Sequence, residues 1–285
     1  MDDIITRFRP GIAGLMPDAW IVTAINGRSA PPVVSIHGIT RNVEEMVEAL
    51  KPRVRITGRT LVVPHFPRNQ FKRYQLARCR ERADVALLRL MRELRREQLV
   101  NDGPFDLSGF SGGGQFAHRF TWLYPHAVEN LCVVAPGWWT FPDHQASWPY
   151  GIGRKQGHAD EAVQSFRLTT NLRSFLDRQI TVCVGTEDIE HDANLRRGAE
   201  IDAQQGRNRV QRARNWSKAA KAAAIAQEVP QRISFRLLTG CGHKFADCFE
   251  KGGLDGVFVR QADFAPNLPQ HTKAPTLGFK KRTAA

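Results

Sequence analysis

Asp106-Leu-Ser-Gly-Phe-Ser111-Gly-Gly-Gly-Gln-Phe-Ala-His-Arg-Phe120 joins a short apolar run to a segment of helical character. Within it, Gly109-Phe110-Ser111-Gly112-Gly113 fits the G-x-S-x-G elbow, a strand-to-helix turn so tight that its serine takes strained backbone angles and projects its hydroxyl above the sheet. The glycines have a steric reason. At Gly109 and Gly113 a β-carbon would collide with the returning chain, and Gly112 lets its N–H approach a substrate oxyanion closely. The bare pattern also arises by chance in glycine-rich chains, so the partners downstream decide whether Ser111 is catalytic or incidental.

Beyond the elbow, residues 115–124 continue as a helix whose N-terminus points at Ser111, until Pro125 ends it. Residues 131–135 and 180–184 read as buried strands. The second runs into Gly185-Thr-Glu-Asp188, where a carboxylate in the turn after a late strand can orient an imidazole and stabilise the imidazolium formed when histidine takes a serine proton. Asp188 is the choice, with Asp192 and Glu187 in reserve. The last clear strand, 233–238, leads to Thr239-Gly-Cys-Gly-His243. Among nine histidines His243 alone follows a final strand on a glycine-rich loop, the placement general-base work demands; His118 and His126 read as structural or surface groups.

Upstream, strands are expected at 20–25, ending in the Asn26-Gly27 turn, and at 33–36 and 60–64. A helix is expected over 42–50, capped by Asn42 with Glu45 three residues on and stopped by Pro52, and a longer one over 76–99. Further helices are expected over 159–177, over 194–227 with a break near Gly206, and from Lys244. Strands alternating with helices imply an α/β architecture with a mostly parallel sheet. One domain over 1–265 is expected. A loop-and-helix insertion follows the strand at 131–135, and its segment 137–178, rich in Trp, Pro and Gly, reads as a partial lid or binding wall, or else as aromatics packed on themselves. The tail 266–285 reads as an extended or disordered basic segment.

The chain has 285 residues and a formal charge of +13, from 41 Lys and Arg against 28 Asp and Glu. Such an excess fits a nucleic-acid or membrane-surface binder, or a basic enzyme that attracts anionic substrates. The most basic stretch, 194–227, lacks stacking aromatics beyond Trp216 and any recognised nucleic-acid motif, so it reads as a solvated helix pair and nucleic acid is not expected as a partner. No run reaches the ~20 apolar residues of a membrane span. Residues 1–20 do not read as a secretory signal, and a cytoplasmic location is expected. The five scattered cysteines lack zinc-ligand spacing, so no metal site is expected, and Cys241 and Cys248 read as reduced thiols rather than a bridge.

Taken in order, His37-Gly38 after a strand, Gly109-x-Ser111-x-Gly113 at the elbow, Asp188 after a later strand and His243 after the last resemble the α/β-hydrolase superfamily over roughly residues 20–260. More narrowly, Gly-Phe-Ser-Gly-Gly-Gly-Gln-Phe-Ala-His-Arg-Phe with the later Pro-Gly-Trp-Trp-Thr-Phe-Pro-Asp looks like intracellular esterases related to polyhydroxyalkanoate depolymerases and feruloyl-type esterases. The part before Val33 is short for an eight-stranded sheet, and an edge strand is expected to be missing. The resemblance implies acyl transfer by a Ser111-His243-Asp188 triad, without metal or organic cofactor, on a small-molecule or oligomeric carboxylic ester. It implies oxyanion donors at Gly112 and at Ile39, or else Thr40, with His37 and Gly38 beside them as substrate-binding residues. Trp138, Trp139 and Phe141 are candidates for an acyl or aromatic pocket. Arg41 is a candidate for a substrate carboxylate, or an ordinary arginine at a helix start. A peptidase or amidase using the same triad and a non-catalytic basic binding protein on a hydrolase fold are the alternatives.

Overall fold

Short runs rich in Val, Ile and Leu between Gly, Pro and Asn become strands, and eight of them build one sheet in the computed structural model, which describes residues 3–25, 30–154 and 159–260. The strands are β1 (Ile4–Arg9), β2 (Asp18–Ala24), β3 (Val33–Ile36), β4 (Leu61–His65), β5 (Phe105–Phe110), β6 (Val128–Val134), β7 (Gln179–Gly185) and β8 (Ile233–Leu238). Their order is β1-β2-β4-β3-β5-β6-β7-β8. β2 runs antiparallel to both its neighbours, and all pairs from β4 to β8 are parallel. The expected 266–285 tail and the Asn26-Gly27 turn lie outside the described residues.

The sheet keeps its full edge, contrary to the expectation of a missing strand. β1 supplies it. Its residues are mostly exposed, so it carries no buried apolar run to betray it, and it is held by pairing with β2 from Ile4↔Ala24 to Arg9↔Ala19.

The helices are α1 (Val43–Thr57), α2 (Ala83–Arg96), α3 (Gly112–Leu123), α4 (Ala159–Leu176), α5 (Ala199–Gln205), α6 (Arg209–Ala226), α7 (Phe245–Glu250) and α8 (Asp255–Phe258). α1 passes through Pro52 instead of stopping there. An interior proline costs about 3 kcal/mol. Here Val43, Met46, Val47, Leu50 and Val54 form one buried stripe across it, and the packing outweighs the lost hydrogen bond. Asn42 does not cap the helix; its amide donates to Glu45 Oε2 at 3.0 Å. α2 is shorter than expected. Residues 74–76 form a 3₁₀ turn, and Ala77 and Arg82 take positive φ (57° and 46°), which a continuous helix excludes.

α3 is buried on every side, including Gln115, His118 and Arg119. Those polar side chains pin the aromatic loop that follows β6. His118 Nε2 accepts from the Thr140 N–H at 3.1 Å, and Arg119 Nε donates to Thr140 Oγ1 at 2.9 Å. Trp139 is fully buried and stacks on Trp216 of α6 with ring centroids 4.5 Å apart. The basic stretch is therefore more than a solvated helix pair: Arg209, Arg212 and Trp216 of α6 are all buried. All five cysteines are free, Cys241 and Cys248 among them, and both of these are buried. No described helix is long and apolar enough to cross a membrane.

Candidate active site

The parallel register aligns the carboxyl ends of β3, β5, β7 and β8, with Ile36 opposite Gly109, Phe110 opposite Val134 and Gly185 opposite Leu238. Residues just beyond those ends therefore converge, as ligand sites do in open α/β sheets. Ser111 sits between β5 and α3 with φ 53° and ψ −113°, and its N–H donates to Val134 O at 2.8 Å. The glycines let that turn close. A β-carbon on Gly109 would lie 2.3 Å from Gly113 O, and one on Gly113 would lie 2.1 Å from Ile36 O.

His243, on the loop after β8, places Nε2 3.0 Å from Ser111 Oγ and Nδ1 2.7 Å from Asp188 Oδ2. With the Nδ1 proton directed at the carboxylate, Nε2 is left to accept the serine hydroxyl. The imidazole stacks on Phe110 at 5.2 Å, which fixes its plane. Asp188 is 1% exposed and its second oxygen, Oδ1, lies 3.2 Å from Arg209 Nη1. Of the three carboxylates considered after β7, Asp188 is the one hydrogen-bonded to the imidazole; Asp192 instead pairs with Arg209 at 2.7 Å. Burial opposes ionisation of Asp192, but hydrogen bonds and charge from Arg209 and the Asn194 N–H outweigh it and hold the carboxyl below its usual range.

Across from the serine, the chain after β3 meets the start of α3. A β-carbon on Gly112 would lie 3.3 Å from Ile39 N and 2.9 Å from the Tyr74 hydroxyl, so two backbone segments approach at the helix N-terminus, where the dipole favours negative charge. His37 does not reach the cleft. It is fully buried, its Nε2 accepts the Phe66 N–H at 3.0 Å and its Nδ1 faces Gly38 O at 2.9 Å. Burial, aided by the charges of His65 and Arg41, pushes its pKa down to about 3, so it stays neutral. Arg41 is likewise committed within the protein rather than to a substrate carboxylate. Its guanidinium donates to Phe66 O at 2.6 Å, Ile39 O at 2.9 Å and Phe71 O at 3.4 Å, and lies over the Tyr74 ring. Tyr74, just ahead of the helix expected over 76–99, donates its hydroxyl to His37 O at 2.8 Å.

A cavity of about 530 Å³ opens at Ser111. Gly38 lines it, and Ile39, Met46, Phe110 and Phe245 form its apolar wall. Glu45, Glu190, Asp192 and Lys244 bring charge to its edge. Trp138, Trp139 and Phe141 are not part of it. They are buried, Trp138 lying against Arg119 at 4.2 Å, because the long α6 offers them Trp216 and α3 offers them His118 and Arg119.

This sheet, with its elbow between β5 and α3, is the α/β-hydrolase fold. Solved structures of that fold superpose over most of the chain. Poly(aspartic acid) hydrolase-1 from Sphingomonas sp. KT-1 gives a TM-score of 0.71 at 21% identity, covering 85% of this chain and 93% of its own. LpqC, a poly(3-hydroxybutyrate) depolymerase from Bordetella parapertussis, gives 0.67 at 22% identity, covering 87% and 91%. An esterase from Pyrobaculum calidifontis gives 0.54 at 15% identity, covering 91% and 85%. No protein-family model and no curated protein sequence matches the chain.

Proposed function

We propose that the protein is a serine hydrolase that cleaves carboxylic esters through an acyl-enzyme. The observation that carries the proposal is the hydrogen-bonded series Ser111 Oγ, His243 Nε2, His243 Nδ1, Asp188 Oδ2, with separations of 3.0 and 2.7 Å, at the mouth of a cavity of about 530 Å³. His243 takes the Ser111 proton as Oγ attacks the ester carbonyl. The oxyanion forms beside the Gly112 and Ile39 N–H groups, whose donors typically contribute ~3 kcal/mol apiece. Collapse expels the alcohol, which takes its proton from His243. A water deprotonated by the same imidazole then adds to the acyl-enzyme, and the second collapse returns the proton to Ser111 and frees the acid. Asp188 holds the ring and offsets the imidazolium charge in both halves. The apolar wall formed by Met46, Phe110 and Phe245 suits an aliphatic or aromatic group on the ester, and an esterase and a poly(3-hydroxybutyrate) depolymerase among the similar structures agree with ester chemistry.

The test is hydrolysis of p-nitrophenyl esters from acetate to decanoate beside the matched anilides, with wild type and Ser111→Ala. Ester turnover that falls by at least ~10³-fold in the variant is expected. Equal rates in the two proteins would remove Ser111 from the mechanism, and faster anilide than ester cleavage would replace the esterase by an amidase.

A further inference from the structure

Resting on the hydrolase reading, one more residue acquires a role. Arg209, at the start of α6, has a side chain only 1% exposed. Its Nη1 lies 3.2 Å from Asp188 Oδ1, the oxygen that His243 does not use, and 2.7 Å from Asp192 Oδ2; Nη2 lies 3.0 Å from Asp192 Oδ1. Its Nε has no hydrogen-bond partner among the described residues, so the two carboxylates alone hold the guanidinium in place. Asp192 also accepts the N–H groups of Asn194 and Leu195, at 2.7 and 3.0 Å. One guanidinium thus ties the buried carboxylate of the triad to the turn that walls the cleft.

We infer that Arg209 is a positioning residue that orients Asp188 toward His243 and, by sharing its charge between Asp188 and Asp192, tempers the pull of Asp188 on the imidazole. The electrostatic reason is direct. A buried carboxylate facing an imidazole with no counter-charge stabilises the imidazolium, and a histidine that already holds its proton cannot act as base. A guanidinium on the far oxygen reduces that pull without removing the hydrogen bond. Asp192 then sets how much of the guanidinium charge Asp188 receives. Other groups facing this set do not substitute for Arg209. Arg212, one turn on, is spent on Asp202 at 2.7 Å and on the Gly137 and Gly206 carbonyls; Lys244 and Glu190 lie at the open cleft; and burial pushes the nearby Cys248 thiol up to about 12.

The role predicts opposite effects from two neutralising substitutions. Arg209→Met leaves Asp188 and Asp192 without a counter-charge, so the acid limb of kcat/KM for p-nitrophenyl butyrate moves to higher pH by about one unit and kcat falls by about 10- to 100-fold. Asp192→Asn leaves the guanidinium to Asp188 and also removes the charge that Asp192 itself places near His243, so the limb moves to lower pH by about half a unit. Arg209→Lys keeps the charge but cannot bridge both carboxylates with a planar fork; its limb stays near the wild type while kcat recovers only in part. A packing role alone would lower the amount of folded enzyme and leave every limb where the wild type has it. Folded fraction is measured by thermal melts, and if Arg209→Met does not fold, Asp192→Asn and Arg209→Lys carry the test. Limbs that coincide with the wild type, or that move the same way in Arg209→Met and Asp192→Asn, overturn the inference. Failure of the hydrolase reading shows elsewhere, as turnover surviving in Ser111→Ala.

Discussion

Replacing Gly113 by Ala tests the elbow at its tightest point. The added β-carbon would meet Ile36 O at 2.1 Å, His37 O at 2.5 Å and Ile36 C at 2.7 Å, where real β-carbons essentially never come within 3.0 Å. All three atoms are backbone at the end of β3, the segment that leads to Ile39, so no side chain can swing aside. Relief requires the first turn of α3 and the end of β3 to part by nearly 1 Å. Overpacking in a well-packed core costs about 1–3 kcal/mol, and a clash with immobile backbone belongs at or above the top of that range. For a chain of this size about 3 kcal/mol lowers Tm by roughly 6–12 °C. The same parting separates Ser111 from Ile39, and a displacement of ~1 Å among reacting groups costs about 100-fold in rate. Thermal melts and p-nitrophenyl butyrate kinetics, run beside Gly242→Ala, check both effects. Gly242 shares the His243 loop, lies in ordinary backbone space and has nothing within 4 Å of its would-be β-carbon, so its variant should match the wild type. If Gly113→Ala melts and turns over like Gly242→Ala, the steric account of the elbow is wrong.

Two further outcomes rest on the same contacts. His37 and His118 are buried and neutral, with pKa values pushed by burial to about 3 and well below 6.5, so the unfolded chain binds more protons than the fold as pH drops below about 6.5. Stability is therefore full above that pH and falls toward pH 4, with a slope approaching ~1.4 kcal/mol per unit for each histidine; urea melts should show that slope reduced by about half of the histidine contribution in His37→Gln. Phe245 lines the cleft, so Phe245→Ala should lower kcat/KM for hexanoate relative to acetate by about tenfold, the loss of burial for about two of the four extra methylenes at ~0.8 kcal/mol each. An unchanged ratio would mean the acyl chain lies elsewhere.

What the sequence revealed and what it hid divide along a physical line. Strands β3 and β8 lie where their apolar runs and punctuating Gly and Pro residues put them, because those signals are local. Ser111, Asp188 and His243 stand out by their places just past strand ends, and a parallel sheet brings such places together whatever lies between. The cleft wall was not legible in this way. Trp138-Trp139 and Phe245 have the same apolar character, and only the arrival of Trp216, far along the chain, decides that the tryptophans turn inward. Arg209 was hidden for a related reason. Set among Ala, Gln and Asn it has the composition of a solvated helix, and the carboxylates that bury it come from another loop.

The excess of 13 positive charges shows the same logic at the level of the whole chain. Several arginines are not surface charge at all. Arg59 pairs with Asp106 at 2.7 Å with side chains 3% and 8% exposed, Arg119 lies under Trp138, and Arg209 and Arg212 pin α6 to carboxylates. The rim of the cleft, by contrast, holds Glu45, Glu190 and Asp192 against Lys244. A guanidinium with several donors can satisfy carbonyls from separate loops at once, as the half-buried Arg41 and the buried Arg212 do, which a lysine cannot. Arginine is thus used here partly as a connector between loops, and the loops so connected are the ones that carry Ile39, Asp188 and the cleft wall. For these residues the basic composition reflects how the site is held rather than what the protein binds.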